Sequence, residues 1–168
     1  MNCDELFLNE VCHVELVPAA NCNLSVPANA DPQTEMEGML TNGGTKTDRI
    51  GQAMMVIDVN DNEEYAGILD SAPSLKTSMK TQTAGYLRQH DLTIPTRGDY
   101  IKVRKAGDSL LGVDFHVILR TLAGTRFLLY SLPNSPTVSV EDQFGSDSKQ
   151  TVKVSLQSMS NMIKLIDD

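Results

Sequence analysis

Two apolar runs, Phe115 to Thr121 (FHVILRT) and Arg126 to Leu132 (RFLLYSL), are separated only by Leu122-Ala123-Gly124-Thr125. Gly124 is able to take the positive φ of a tight turn, so the spacing predicts a β-hairpin. Side chains alternate between the faces of a strand, and here both faces are apolar. In the first run Phe115, Val117 and Leu119 oppose Ile118; in the second, Phe127 and Leu129 oppose Leu128, Tyr130 and Leu132. Such a hairpin cannot leave either face in water. It lies in the middle of a sandwich or is covered by another subunit. Thr151 to Gln157 behaves differently: Val152, Val154 and Leu156 alternate with Lys153, Ser155 and Gln157, which predicts a strand with one wet face.

At 168 residues the chain suits one domain, or a domain plus an extended arm. It has no Trp and only 5% aromatic residues, so the core is aliphatic, and the eight Met serve as flexible filler or adaptable contact surface. The net charge of −8 is uneven. Residues 1–75 hold 13 acids and 2 bases, residues 76–126 hold 4 acids and 9 bases, and residues 127–168 hold 5 acids and 3 bases. Opposite patches of this kind favour head-to-tail contacts between copies. An acidic chain is poorly suited to gripping nucleic acid, whose backbone needs clustered cations, but suits a surface that DNA slides past.

No stretch approaches the roughly 18 apolar residues of a membrane span. The start, MNCDELFLNEVCHVEL, has acids where a secretory signal needs bases, so a soluble, cytosolically made chain is expected. Cys3, Cys12 and Cys22 are odd in number and lack zinc-site spacing, which predicts free thiols, no metal site and no cofactor.

Val11 to Val17 reads as a strand stopped by Pro18, and Gln52 to Val59 as another. Between them, residues 26–51 are rich in Gly, Pro and Asn around an apolar island of Met36, Met39 and Leu40; a long loop or inter-subunit arm is expected there. Leu75 to Thr83 and Tyr86 to Ile94 alternate as strands, the second ended by Pro95 and Gly98. Asp99 is an N-cap for one short helix over residues 100–106, with Gly107 as its stop. Further strands are expected at Thr137 to Val140, Thr151 to Gln157 and Met162 to Ile166. The fold class is mainly β: a β-sandwich or half-barrel with one short helix.

Local resemblances to catalytic motifs fail on chemistry. Gly107-Asp108-Ser109-Leu110 spells an esterase signature, but no Asp-x-x-His follows to activate the serine. Asp58-x-Asn60-x-Asn62 begins like a calcium loop, yet Glu63 stands where the turn needs glycine and Leu69 where a bidentate Glu belongs. His13, His90 and His116 fall in separate strands; Asp114 is placed to bond His116, and buried structural roles are expected for all three.

From Gly85 onward, the order Gly85-Tyr86-Leu87-Arg88-Gln89-His90-Asp91-Leu92-Thr93-Ile94-Pro95, a short helix, Phe115-His116-Val117-Ile118-Leu119, a tight turn, Leu128-Leu129-Tyr130 and a closing Val154-Ser155-Leu156-Gln157-Ser158 resembles tail-tube-like subunits of bacteriophages and prophages of Bacteroidetes. The resemblance covers about half the chain. It implies a non-enzymatic virion protein whose subunits form rings, joining their sheets into a conduit through which DNA passes without specific binding, and whose partners are further copies and neighbouring tail or connector proteins. Residues 1–51 have no counterpart, which leaves tail-terminator, connector and capsid-auxiliary roles open, as well as a small β-sandwich module that binds carbohydrate or protein. The candidate self-assembly residues are Met36, Met39, Leu40, Phe115, Val117, Leu119, Leu128 and Tyr130.

Overall fold

The structure is a computed structural model that describes residues 11–22, 50–82, 85–143, 149–158 and 163–165. Its strands are β1 (Val11–Pro18), β2 (Met55–Asp58), β3 (Gly67–Leu69), β4 (Ser74–Gln82), β5 (Gly85–Arg97), β6 (Phe115–Thr121), β7 (Arg126–Leu129), β8 (Thr137–Gln143), β9 (Lys149–Ser158) and β10 (Ile163–Leu165). A helix, α1 (Tyr100–Ser109), lies between β5 and β6 in the chain. The strands form one sheet in the order β10-β7-β6-β1-β2-β3-β5-β9-β8, with β4 added alongside β5. The protein is thus mainly β with one short described helix, as its residue pattern predicts.

The sheet folds over on itself. Leu132, three residues past β7, donates its N–H to the Gln157 carbonyl on β9 at 2.8 Å. In a flat sheet with strands about 4.8 Å apart, the six steps from β7 to β9 would separate them by nearly 30 Å. Curling also brings Val14 and Leu16 of β1 and Phe115, Val117 and Leu119 of β6 into one core with Leu92 and Ile94 of β5 and Val152, Val154 and Leu156 of β9. Between β1 and β5 in the strand order lie β2 and β3, four and three residues long and paired in parallel. β3 carries no alternation in its three residues, so no local pattern marks it.

The β6–β7 hairpin closes as expected, with Gly124 at φ 88° and Thr121 N–H donating to the Thr125 carbonyl at 3.0 Å. Both of its faces are covered by this chain. Phe115, Val117 and Leu119 face the main core, while Ile118 and Leu128 join Val17 and Ile50 in a second cluster, bordered by Cys22, Ala53 and Tyr130. Ile50 is held by a bridge to Cys22, and Gly51 donates to the Asn21 carbonyl at 2.8 Å. A Cβ on Gly51 would sit 2.5 Å from that oxygen, so the position needs glycine. The rest of the expected arm lies outside the described residues.

Asp99 caps α1 as its sequence indicates, accepting from the N–H groups of Ile101 and Lys102 at 3.0 and 3.4 Å. The helix does not stop at Gly107 but runs on to Ser109. Gly107 is buried inside it, and a Cβ there would meet Val140 Cγ2 at 2.9 Å. The glycine serves close packing of the helix on β8 rather than termination. Pro95 likewise does not end its strand. β5 pairs with β4 through Thr93 and with β3 from Thr96, so proline, with no N–H to donate, sits where the partner changes.

Because the chain itself buries both hairpin faces, Phe115→Ala should cost about 3–5 kcal/mol and Ile118→Ala about 2–5 kcal/mol of unfolding free energy in dilute protein. Urea denaturation checks this. A dilute Ile118→Ala variant that unfolds at the wild-type midpoint would mean that the second face is not covered within the protomer.

Candidate functional site

The structure separates the candidate assembly residues. Phe115, Val117, Leu119 and Leu128 have zero exposure. They are interior residues of one protomer, because β1, β5, β9 and the Ile50 cluster occupy the space a partner would need. Tyr130 is half-buried and stacks on His116, with ring centroids 4.6 Å apart and planes at 16°. Met36, Met39 and Leu40 lie outside the described residues. Any surface on which copies meet through described residues is therefore found elsewhere.

Among the described residues the clearest unpaired backbone edge is that of β4. It pairs with β5 over nine residues, from Ser74 opposite Thr93 to Gln82 opposite Gly85. Of its side chains with described burial, Ser74, Lys76, Thr77, Ser78 and Met79 are exposed and Leu75 is half-buried. Met79 stands 58% exposed on the same face as the buried Leu92 and His90. Thr77 ties that face down through its hydroxyl, 2.9 Å from His90 Nδ1. Among the described residues no strand pairs with the outer edge of β4. β8 is a second long edge without a described partner, with Thr137, Ser139 and Glu141 exposed and Val138 buried, and the three-residue β10 ends the sheet beyond β7. The lysines of β4 were a legible edge signal. The role of β8 as an edge was not, since it depends on strand order.

A second feature is a buried charge centre on β1. His13 and Glu15, two residues apart, share a strand face, and β2 places Asp58 beside them. His13 Nδ1 lies 2.5 Å from Asp58 Oδ2 and His13 Nε2 lies 2.9 Å from Glu15 Oε1. Arg120 Nη2 approaches Asp58 at 3.6 Å, and Tyr65 meets the imidazole edge-on. With a carboxylate on each ring nitrogen, the imidazole donates twice and is held as a cation. Burial opposes that charge, but the hydrogen bonds to Glu15 and Asp58 outweigh it and raise the His13 pKa above 6.5. The hydrogen bond from His13 lowers Glu15; for Asp58 burial acts upward, and the Asn60 N–H and His13 outweigh it to lower the pKa.

His116 is the opposite case. Its Nδ1 accepts from the Ser131 N–H at 3.1 Å, and burial pushes its pKa down to about 4, so it is neutral. Asp114 does not bond it as expected; instead, Asp114 accepts from the Asn134 N–H at 2.8 Å. Ser109 of the esterase-like tetrapeptide donates to the Ala106 carbonyl at 2.6 Å and closes the last turn of α1. Asp58 and Asn62 of the calcium-like run cap the N–H groups of Asn60 and Glu64, forming polar turns. Among the described residues no group of three or more His, Cys, Asp or Glu is arranged to hold a metal ion, and no helix is long and apolar enough to cross a membrane. Comparison with protein-family models, curated proteins and solved structures found no match.

The two histidines give opposite pH signatures. The raised pKa of His13 makes its contribution complete below 6.5 and loses it as pH rises through the raised value. The lowered carboxylates contribute fully above 4.5 for Glu15 and 3.8 for Asp58 and lose it as pH falls through the lowered values. The clamp is therefore strongest between pH 4.5 and 6.5. His13→Gln should cost about 1.5–3 kcal/mol in that window and less well above it, as urea denaturation across pH will show. For His116 the unfolded chain takes up a proton between pH 6.5 and 4 that the fold refuses, so stability falls as pH drops. His116→Gln should flatten that fall.

Proposed function

We propose that this protein is a structural subunit that assembles with copies of itself through its open strand edges, and that it is a tail-tube-like component of a bacteriophage virion, the family its sequence resembles. The observation that carries the first part is β4. Natural sheets shorten, cover or bulge their edges, because a row of unpaired N–H and C=O groups is a template for another strand. β4 carries Lys76 and Lys80, charges that discourage a like strand, but it is neither shortened, bulged nor covered by a described strand: it runs nine residues with its described side chains in water on both faces, Leu75 excepted. Met79 adds an apolar side chain, 58% exposed, for a neighbour to cover. In this reading the subunits are made in the bacterial host cytoplasm and form rings that stack between neighbouring tail or connector proteins. DNA passes through the lumen, and the net charge of −8 discourages it from adhering.

An edge contact of this size is modest. About half of the backbone groups of β4 point outward, and each net hydrogen bond contributes about 0.5–1.5 kcal/mol, against an association cost of about 4 kcal/mol or more. Closure of a ring, in which every subunit makes two contacts, is what makes such an edge sufficient. Assembly should therefore rise steeply with concentration. Light scattering on a dilution series into the high micromolar range should show a mass far above 18.4 kDa, and negative-stain images should show rings or tubes. A strict monomer throughout would overturn the reading and favour a monomeric binding module.

A further inference from the structure

Among the described strands three leave an edge unpaired, β4, β8 and the three-residue β10, and the two long ones differ in charge. Strand β4, SLKTSMKTQ, carries two lysines and no acid, whereas β8, TVSVEDQ, carries two acids and no base. We infer that β4 of one copy pairs antiparallel with β8 of the next, with Lys76 across from Glu141. The inference rests on the self-assembly reading and specifies which surfaces meet. Like edges are disfavoured, because β4 against β4 would set lysines together and β8 against β8 would set acids together.

Strand direction leads to the same pairing. Within a protomer β4 runs antiparallel to β5, β5 to β9 and β9 to β8. In the row β4-β5-β9-β8, the first and last strands therefore point in opposite directions. Lys76 shares a row with Thr137, four residues from Glu141. When the next copy is added by rotation about an axis to which the strands are tilted, as in closed barrels, that stagger is accommodated, its β4 arrives antiparallel to the β8 it meets, and the sheet continues without a break. This contact is head-to-tail, so it closes into a ring or propagates.

The faces match under the same register. Directly opposed residues in antiparallel strands point to one face. With Lys76 opposite Glu141, Ser78 stands opposite Ser139 and Met79 opposite Val138. Lys76, Ser78, Ser139 and Glu141 all lie on the outer face and are exposed. Met79 lies on the face of Leu92, and Val138 on that of Val154, both inner. The exposed methionine is thus set against the apolar side of β8. Glu141 already holds Lys153 of its own chain at 3.2 Å, with both side chains more than half exposed, and Lys76 adds a second cation to it.

The test uses the double variant Ser78→Cys/Ser139→Cys in the full-length protein, mildly oxidised, with linked peptides identified by mass spectrometry. Within one protomer these positions are three strands apart, roughly 14 Å across the sheet, and also four residues apart along it, well beyond disulfide reach, whereas opposed residues in paired strands lie about 4.5–5.5 Å apart and are within it. A link between residues 78 and 139 therefore reports contact between copies. The expected result is covalent ladders carrying that link, formed also between subunits when the two single variants are mixed. In a second arm, Lys76→Glu should raise the concentration needed for assembly about tenfold, and Lys76→Glu/Glu141→Lys should recover most of that loss. Assemblies that form without the 78–139 link, or that link 78 to 78 in the single variant, would overturn the pairing while leaving the self-assembly reading intact. Wild-type protein that stays monomeric would overturn both.

Discussion

The rest of the structure is built against β1. This strand is paired along both edges, to β2 and β6, and seven of its eight residues are buried. One face gives Val14 and Leu16 to the main core. The other face is divided along its length, with Val17 in the smaller apolar cluster and His13 and Glu15 in the charge centre. A strand buried on both sides can carry a polar residue only where neighbouring strands supply partners. Asp58 from β2 and Arg120 from β6 approach His13 and Glu15 for this reason, since β2 and β6 are the strands that flank β1.

That centre is a poor source of net stability, because burying His13 and Asp58 and half-burying Glu15 offsets much of their attraction. Its value lies in register. His13 pairs with Asp58 both in the backbone ladder and through its side chain. A slip of one residue would turn His13 into the main core and leave the carboxylates unmatched. The apolar residues on β1 would lose far less from sliding among similar neighbours. His116 marks the other way to bury an imidazole: left neutral, accepting one N–H and stacked on Tyr130, it needs no counter-charge.

Curling the sheet covers the apolar hairpin but leaves two long edges of unlike character, β4 and β8. The inner strands are aliphatic and inaccessible, while β4 is polar, long and wet, and β8 presents acids outward beneath a helix packed on Val140. The charge asymmetry evident along the chain, acidic at the start and basic in the middle, reappears in the fold as a basic edge and an acidic one, although the acids of β8 come from the third segment rather than the first. In the proposed assembly, surfaces between copies are therefore polar and reversible, and the apolar surface is kept within each protomer.

Local chemistry was legible in the chain. The alternation from Thr151 to Gln157 identified the wet and dry faces of β9, Asp99 identified the start of α1, and Gly124 identified the turn of the central hairpin, because each depends on residues within a few positions of one another. What covers the second face of that hairpin was not legible, since Ile118 meets Val17 and Ile50 only after distant segments come together. Pro95 and Gly107 were misread for the same reason: each reads locally as a stop, and each is accommodated by a partner, a change of neighbouring strand in one case and the close approach of Val140 in the other. The sequence by itself determined most of the strand segments, β3 excepted, which sides of the alternating ones are dry and where charge accumulates, because the two-residue period of a strand is a local property. Only the tertiary structure decided which strands became edges, that the sheet folds over on itself, and that His13 finds Asp58, because strand order and curvature arise from contacts between residues far apart in the chain.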